Sequence, residues 1–414
     1  MTGAWDVSRQ DLAVLGCCEL VPPPSRSGRT RLKAGRMPRL STIGLRLVLL
    51  LAAVGCGQRA AVPAAPAESS VTFAFCGDVF LHSQNVTAAW DDSLQAYDFD
   101  PVFATVRPLL DSADFAVCWL GGEFSNTPPY RGYPRFRSPA RLLHSLKLAG
   151  FDVCLATNHI MDGGRAGLIE RIRLLDSLGI LHPGEFSTPE SARQLLVLTK
   201  NGVRVAFLSY TYGTNGLPVP EPWMVSLIDT AVMSADVRRA ESLEVDFIIV
   251  ALHQGEEYRL TPTNEQVRTA EFLARLGVDL VVSTHPHVAE PAGLVELLRS
   301  DSTPVRMPVL TYSLGNFYCG QKYPNTRTGL IVRVRLMKDA SGVCIADASF
   351  TPTYIYESPR LRGRYRVIPI KDALAGFAAG SDSTIAASDT ARLRRELDAV
   401  TARVANPSIP FLIR

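Results

Sequence analysis

Five apolar segments of this chain each run straight into polar or ionisable residues, and that recurrence narrows the fold more than any other feature. Val71-Thr72-Phe73-Ala74-Phe75-Cys76 leads to Gly77-Asp78, with His82 a little later. Phe115 to Leu120 leads to Gly121-Gly122-Glu123, and Phe151 to Ala156 leads to Thr157-Asn158-His159. Val245 to Leu252 leads to His253, and Val278 to Val282 leads to Ser283-Thr284-His285-Pro286-His287. Short apolar runs bounded by turn residues read as buried strands. Open α/β folds place their chemistry where such strands end, at the carboxyl edge of the sheet.

Helical segments lie between these runs. The stretches from Ser138, from Gly164 and from Thr263 end at Gly150, Gly179 and Gly277, and glycine is a common helix stop. Strand, helix, strand in this order predicts right-handed crossovers and a largely parallel sheet, to which Val203–Tyr210 adds a strand. After residue 295 the character changes. Pro308–Tyr312, Leu330–Leu336 and Val343–Phe350 alternate like strands of a second, more antiparallel sheet. Arg366–Ile370 reads as an edge strand, because Pro369 has no N–H to give a ladder. Residues 388–404 read as an amphipathic covering helix. The expected architecture is a two-sheet α/β sandwich with helices on the outside and a site at one edge.

Taken singly, each polar exit has an ordinary explanation. A Gly-Asp caps a turn, a lone Glu sits on the surface, and a lone His is satisfied in a core. The set does not reduce to that, since independent turn residues have no reason to recur at successive strand exits. Carboxylate, amide oxygen and imidazole together suit a borderline divalent transition metal, and a bridging carboxylate suits two.

Six stretches occur in an order that resembles the CapA, or poly-γ-glutamate capsule synthesis, family within the calcineurin-like metallophosphoesterases. They are Phe75–Val79, Trp119–Phe124, Ala156–Gly164, His253–Tyr258, Thr284–Val288 and Tyr312–Phe317. The resemblance spans residues 71–335 and implies a metallophosphatase-like α/β sandwich. It implies that Asp78 and His287 hold one divalent cation (Mn, Fe or Zn) and that Asn158, His253 and His285 hold a second. Glu123 takes the bridging place that Asp fills in ordinary metallophosphatases, and His159 matches the general acid or the group that steadies the transition-state oxygen. The chain departs from that pattern in three places: no Asp-x-His at Asp78, Glu in place of Asp at position 123, and Ser283-Thr284 before the histidine pair.

The N-terminal region carries a separate signal. Leu47 to Val54 form a short apolar core behind Arg39 and Arg46, followed by Gly55-Cys56. That is the form of a signal peptide, and Cys56 has the setting of a lipidated first residue, with ordinary signal-peptidase cleavage as the alternative. Residues 1–36 lack periodicity and read as an upstream extension, which makes Met37 the start and 37–56 the leader. The Ala/Pro-rich stretch 57–70 reads as an extended tether. Residues 336–414 are expected to complete or cover the main domain.

Formal charge supports this division. The whole chain is +3, but residues 1–56 hold eight Lys/Arg against three Asp/Glu, leaving a processed chain near −2. Nucleic-acid binding therefore has no electrostatic support. Cys76, Cys118 and Cys154 fall inside predicted strands and read as small core residues. Beyond Cys56 there are five cysteines, an odd total that outlines no disulfide framework.

The segment 126–137 after Glu123 carries Arg131, Arg135 and Arg137 among aromatics, a composition suited to an anionic substrate. A surface loop packed on the sheet edge accounts for it equally. Gly213–Trp223 and Glu256-Glu257-Tyr258-Arg259 raise the same question. Two functions stay open: a lipid-anchored metal-dependent hydrolase or transferase acting on an envelope polymer or phosphoester, and a non-catalytic subunit working beside membrane-bound capsule synthesis proteins.

Overall fold

The strand Ser70–Val79 is buried along almost its whole length, and both of its faces are apolar: Val71, Phe73 and Phe75 on one, Ala74 and Cys76 on the other. A strand of that kind belongs in the middle of a covered sheet. The computed structural model describes residues 69–298, 302, 304–361, 364–405 and 412–413, and it puts Ser70–Val79 at the centre of the larger of two main sheets. On one side lie Phe115–Leu120 and then Phe151–Leu155, both parallel. On the other side Thr328–Asp339, Gly342–Glu357 and Tyr365–Pro369 follow in antiparallel order.

The second sheet has its own parallel centre, Val203–Thr211, Phe247–His253 and Leu280–Thr284. Leu196–Lys200 closes one edge, while Pro304–Val309 and Gly293–Leu298 close the other. Phe73, Phe75, Val117 and Trp119 from the first sheet pack against Val205, Phe207, Ile249 and Val282 from the second. Helices cover the outer faces. Leu142, Leu143 and Leu146 of Arg141–Ala149 lie over the first sheet. Val237 of Thr230–Ser242 and Leu273 of Asn264–Leu276 lie over the second. The result is the sandwich expected from the sequence.

One expectation needs correction. The strands after residue 295 do not make a sheet of their own. Thr328–Asp339 joins the first sheet, because Leu330, Val332, Val334 and Leu336 face the space between the sheets while Ile331 faces the outer core. Pro304–Val309 joins the second sheet, parallel to Leu280–Thr284. Position 335 falls within a strand, so residues on both sides of it share one sheet. Tyr365–Pro369 is the edge strand predicted from Pro369.

Local signals set the element ends. Thr263 caps Asn264–Leu276 through a reciprocal box with Gln266, and Gly277 ends that helix at φ +96°. Gly150 ends Arg141–Ala149 at φ +107°. Cys76, Cys118 and Cys154 are free and buried. Among the described residues no helix is long and apolar enough to cross a membrane. Cys56, the leader, the upstream extension and all but the end of the tether lie outside the described residues.

Candidate metal centre

All five predicted strand exits lie at one edge of the sandwich, three from the first sheet and two from the second, and four of them supply the cluster. Asp78 is the penultimate residue of Ser70–Val79, and Asn158-His159 follow Phe151–Leu155 by a short turn. His253 ends its strand, and His285-Pro286-His287 leave the end of Leu280–Thr284. Both histidines of that loop have positive φ, +121° for His285 and +61° for His287. Such values are uncommon for residues with a Cβ and concentrate at functional sites. Gly77 permits the approach of Gly315, whose carbonyl oxygen would collide with any Cβ at position 77. Through that approach the Asp78 N–H donates to the Gly315 oxygen at 3.1 Å.

Within the cluster His287 Nδ1 lies 3.0 Å from Asp78 Oδ2 and 3.1 Å from Asn316 Oδ1. His253 Nε2 lies 3.1 Å from Asn158 Oδ1. The other nitrogen, His253 Nδ1, stands 3.7 Å from Asp78 Oδ1. The His253 and His285 rings are edge-on at 4.8 Å between centroids, and Tyr212 covers His285 at 4.6 Å. All four residues Asp78, His253, His285 and His287 are buried.

Three donor atoms of this cluster, Asp78 Oδ1, His253 Nδ1 and His285 Nδ1, are buried without a hydrogen-bond partner. Leaving such an atom unsatisfied costs about 1–3 kcal/mol, and three at one place call for a common partner. Burial holds the imidazoles of His253 and His285 well below their usual range, with neighbouring imidazoles adding to the effect. They are therefore neutral, the form that ligates metal. Burial also raises the Asp78 carboxyl, opposed by His287. A cation bound there would supply the compensation that the fold lacks. The donor set fits a divalent transition metal.

His159 stands beside this group. Its Nδ1 is 2.9 Å from Asp162 Oδ2, which also accepts the Phe136 N–H at 2.6 Å. Phe136 packs edge-on against the ring at 4.6 Å, and Phe80 lies between the rings of His159 and His287. Asp162 thus sets the orientation of the imidazole.

Glu123 is not brought to the histidines as a bridge. Its carboxylate faces Arg137 Nε at 3.1 Å and Arg131 Nη2 at 3.8 Å. It packs so closely on Gly163 that a Cβ there would sit 2.9 Å from its carboxyl carbon. Two guanidiniums compete for the oxygens that a bridge would need. The arginine loop is corrected by the same geometry. Arg137 also donates to Thr127 O, Pro129 O and Ser125 Oγ, and Arg135 donates twice to Asp162 O. Arg137 thus braces the loop from within, and Arg135 ties it to the segment after His159. Arg131 keeps an exposed side chain.

His82 is structural. It caps Ser83–Ala89 and its Nδ1 accepts the Gly320 N–H at 3.2 Å, and burial lowers its pKa to about 4. Besides Asp162, three participants were not singled out by sequence reasoning. Asn316 holds His287, and Tyr212 and Asn215 hold the Asn158 amide at 3.2 and 3.0 Å. Asn316 lay inside a matched stretch and Asn215 inside a flagged loop, but neither position carried a role.

A two-sheet α/β sandwich with a histidine-rich edge is the class that this geometry defines. The family described as "Bacterial capsule synthesis protein PGA_cap" matches residues 72–321, and the chain belongs to that family. The capsule biosynthesis protein CapA of Bacillus anthracis is 25% identical over 328 residues, covering 74% of each chain. The PGA biosynthesis protein CapA of Bacillus subtilis is 27% identical over 282 residues, 63% of this chain and 66% of that protein. Among solved structures, the calcineurin-like phosphoesterase YfkN of Bacillus subtilis is 12% identical with a TM-score of 0.41, covering 81% of this chain and 99% of that one. A phosphatase of Mycoplasma pneumoniae is 13% identical with a TM-score of 0.41, covering 71% and 97%. Likeness at that level says nothing about the reaction.

Proposed function

We propose that this protein is an exported, lipid-anchored, metal-dependent hydrolase or transferase that acts on an anionic envelope polymer of the poly-γ-glutamate kind, or on a phosphoester. The observation that carries this reading is the set of three buried donor atoms without partners at the meeting point of four strand exits. In this reading Asp78 and His287 hold one divalent cation, and Asn158, His253 and His285 hold another, with Mn, Fe and Zn all suited to such ligands. Bound cations would supply an activated water and stabilise the oxyanion it forms.

The chain's own groups do the rest. Asp162 accepts the Nδ1–H of His159, so that in its imidazolium form the ring can hand the Nε2 proton to the leaving group, beside the Asn215 amide nitrogen at 3.4 Å. Arg131, exposed at the rim, can face an anionic substrate. Tyr212 and Asn215 hold the Asn158 amide so that its oxygen points toward His253. The family's link to capsule synthesis accords with an envelope location, and the anchor at Cys56 with the tether after it belongs to the same reading. Membrane-bound capsule synthesis proteins are its natural neighbours.

A second reading, a non-catalytic subunit of a polymer synthesis or export complex, is favoured by one observation. The carboxylate at position 123 is engaged with arginines. Elemental analysis of the full chain beside a His285→Ala/His287→Ala variant, followed by assays on γ-glutamyl polymers and phosphoesters, separates the two. Metal in the parent only, with turnover that falls by about 10²–10⁴ in His159→Ala at unchanged metal content, supports the enzyme. Metal without any turnover favours the subunit, and no metal in either protein removes the first reading.

A further inference from the structure

The geometry points to Glu257 as the carboxylate ligand of the metal centre, in the role that family resemblance gives to Glu123. This rests on the metal-centre reading above and changes it at one point: Asp78, on Nδ1, orients His287 instead of sharing its cation. Glu257 Oε1 lies 3.9 Å from His287 Nε2, and ligand atoms of Glu257, His285 and His287 all lie within 4.8 Å of one another. Two donors bound to one ion at about 2.1 Å each are separated by roughly 3–4 Å. The pair is therefore already near coordination spacing.

The surrounding structure supports the assignment. His287 Nδ1 is engaged by Asp78 and Asn316, which turns Nε2 outward, toward Glu257. A carboxylate on the far nitrogen is the arrangement that fixes and strengthens a metal-bound imidazole. The segment carrying Glu257 is tied to the histidine loop at its base. The Tyr258 N–H donates to the Pro286 oxygen at 2.8 Å, and the Gln254 N–H to the Thr284 oxygen at 2.9 Å. Tyr258 adopts φ +67° in doing so.

The two glutamates have opposite surroundings. Glu123 faces Arg137 and Arg131. Glu257 faces His287 Nε2, while the adjacent Glu256 takes Arg259 at 3.2 Å. With its side chain 44% exposed, Glu257 lies on the solvent side of the buried histidines. A carboxylate there can close on an ion that enters from solution.

The test is Mn²⁺ affinity of the full chain, measured by calorimetry after chelator treatment, for the parent and for Glu257→Gln, Glu123→Gln and His285→Ala. Circular dichroism checks that each variant is folded. We expect Glu257→Gln to weaken binding by at least about tenfold and Glu257→Asp to recover part of the loss. Glu123→Gln should stay within about twofold of the parent. A loss in Glu123→Gln with parental affinity in Glu257→Gln would overturn the assignment while leaving the metal centre intact. Absence of Mn²⁺ binding in the parent would overturn both. Should Glu257→Gln misfold, a Glu257→Asp protein with parental affinity and stoichiometry would still count against a ligand role, because the shorter arm must shift a real ligand.

Discussion

His287 and Asp78, 209 residues apart in the chain, meet with the imidazole Nδ1 3.0 Å from carboxylate Oδ2. This contact joins the two sheets at the edge where the strand exits gather. Nothing within a few residues of either partner brings the two together. Asp78 is placed by its strand's contact with Gly315, and His287 by a loop with two residues at positive φ.

Burial raises the Asp78 carboxyl, so in the metal-free protein this side chain adds little to stability. An Asp78→Asn variant keeps an oxygen to accept from His287 and removes the buried acid. We expect metal uptake to be lost while the melting temperature of the chelator-treated protein stays equal to the parent's or rises. A fall in that melting temperature equivalent to more than about 2 kcal/mol would show that the carboxylate is structural.

The buried imidazoles give the metal-free fold an acid limit. His253 and His285 lie well below their usual 6.5 in the folded state, so below that pH the unfolded chain binds protons that the fold excludes. Stability from these groups is present above about pH 6.5 and is lost as pH falls below it, at up to about 1.4 kcal/mol per unit for each imidazole. Urea denaturation at about pH 7.5 and about pH 5.5 of protein carrying Glu290→Gln, which removes an opposing buried carboxyl, should show the loss, and adding His285→Gln should reduce it. Equal stability at the two pH values would contradict the burial argument.

Glu290 acts in the opposite direction. Burial raises its carboxyl to about 7, while Gln266 Nε2 donates to Oε2 at 2.8 Å and opposes the rise. The folded state therefore holds a proton that the unfolded chain releases near 4.5. This contribution is full at low pH and disappears as pH rises from about 4.5 to about 7. Glu290→Gln should gain on the order of 1–3 kcal/mol relative to the parent at about pH 8 and little at about pH 5. Melting curves at both pH values decide it; an equal effect at the two would refute the assignment.

Arg171 and Glu185 form a pair at 2.7 Å with both side chains fully buried, and Arg171 also reaches the Gly122 carbonyl at 3.3 Å. Removing one partner leaves a buried charge, which costs about 3–5 kcal/mol. Arg171→Met should lose that much in chemical denaturation, and Arg171→Met/Glu185→Leu should recover a large part. A double variant no more stable than the single one would show that the pair contributes more than charge balance.

Much of this fold is legible along the chain because its determinants are local. The apolar runs, the glycine stops at Gly150 and Gly277 and the missing N–H of Pro369 each act within a few residues. The histidines and Asp78 were recognisable for the same reason, since each ends an apolar run. The placement of Thr328–Asp339 was not, because alternation alone cannot say which sheet a strand joins. Its inward side chains share a core with Phe73, Val117 and Phe207, each more than a hundred residues away.

The sequence by itself determined which residues stand at the five strand exits and that they are of types able to ligate a metal. Only the tertiary structure decided which side chains face the cluster. Glu123 stands at a strand exit, yet it turns to Arg137 because the 126–137 loop folds back over it. Glu257 lies in a plain acidic stretch, yet the Tyr258–Pro286 backbone bond carries it to His287. Side-chain direction at a loop is fixed by contacts between distant segments, and those exist only once both sheets have packed.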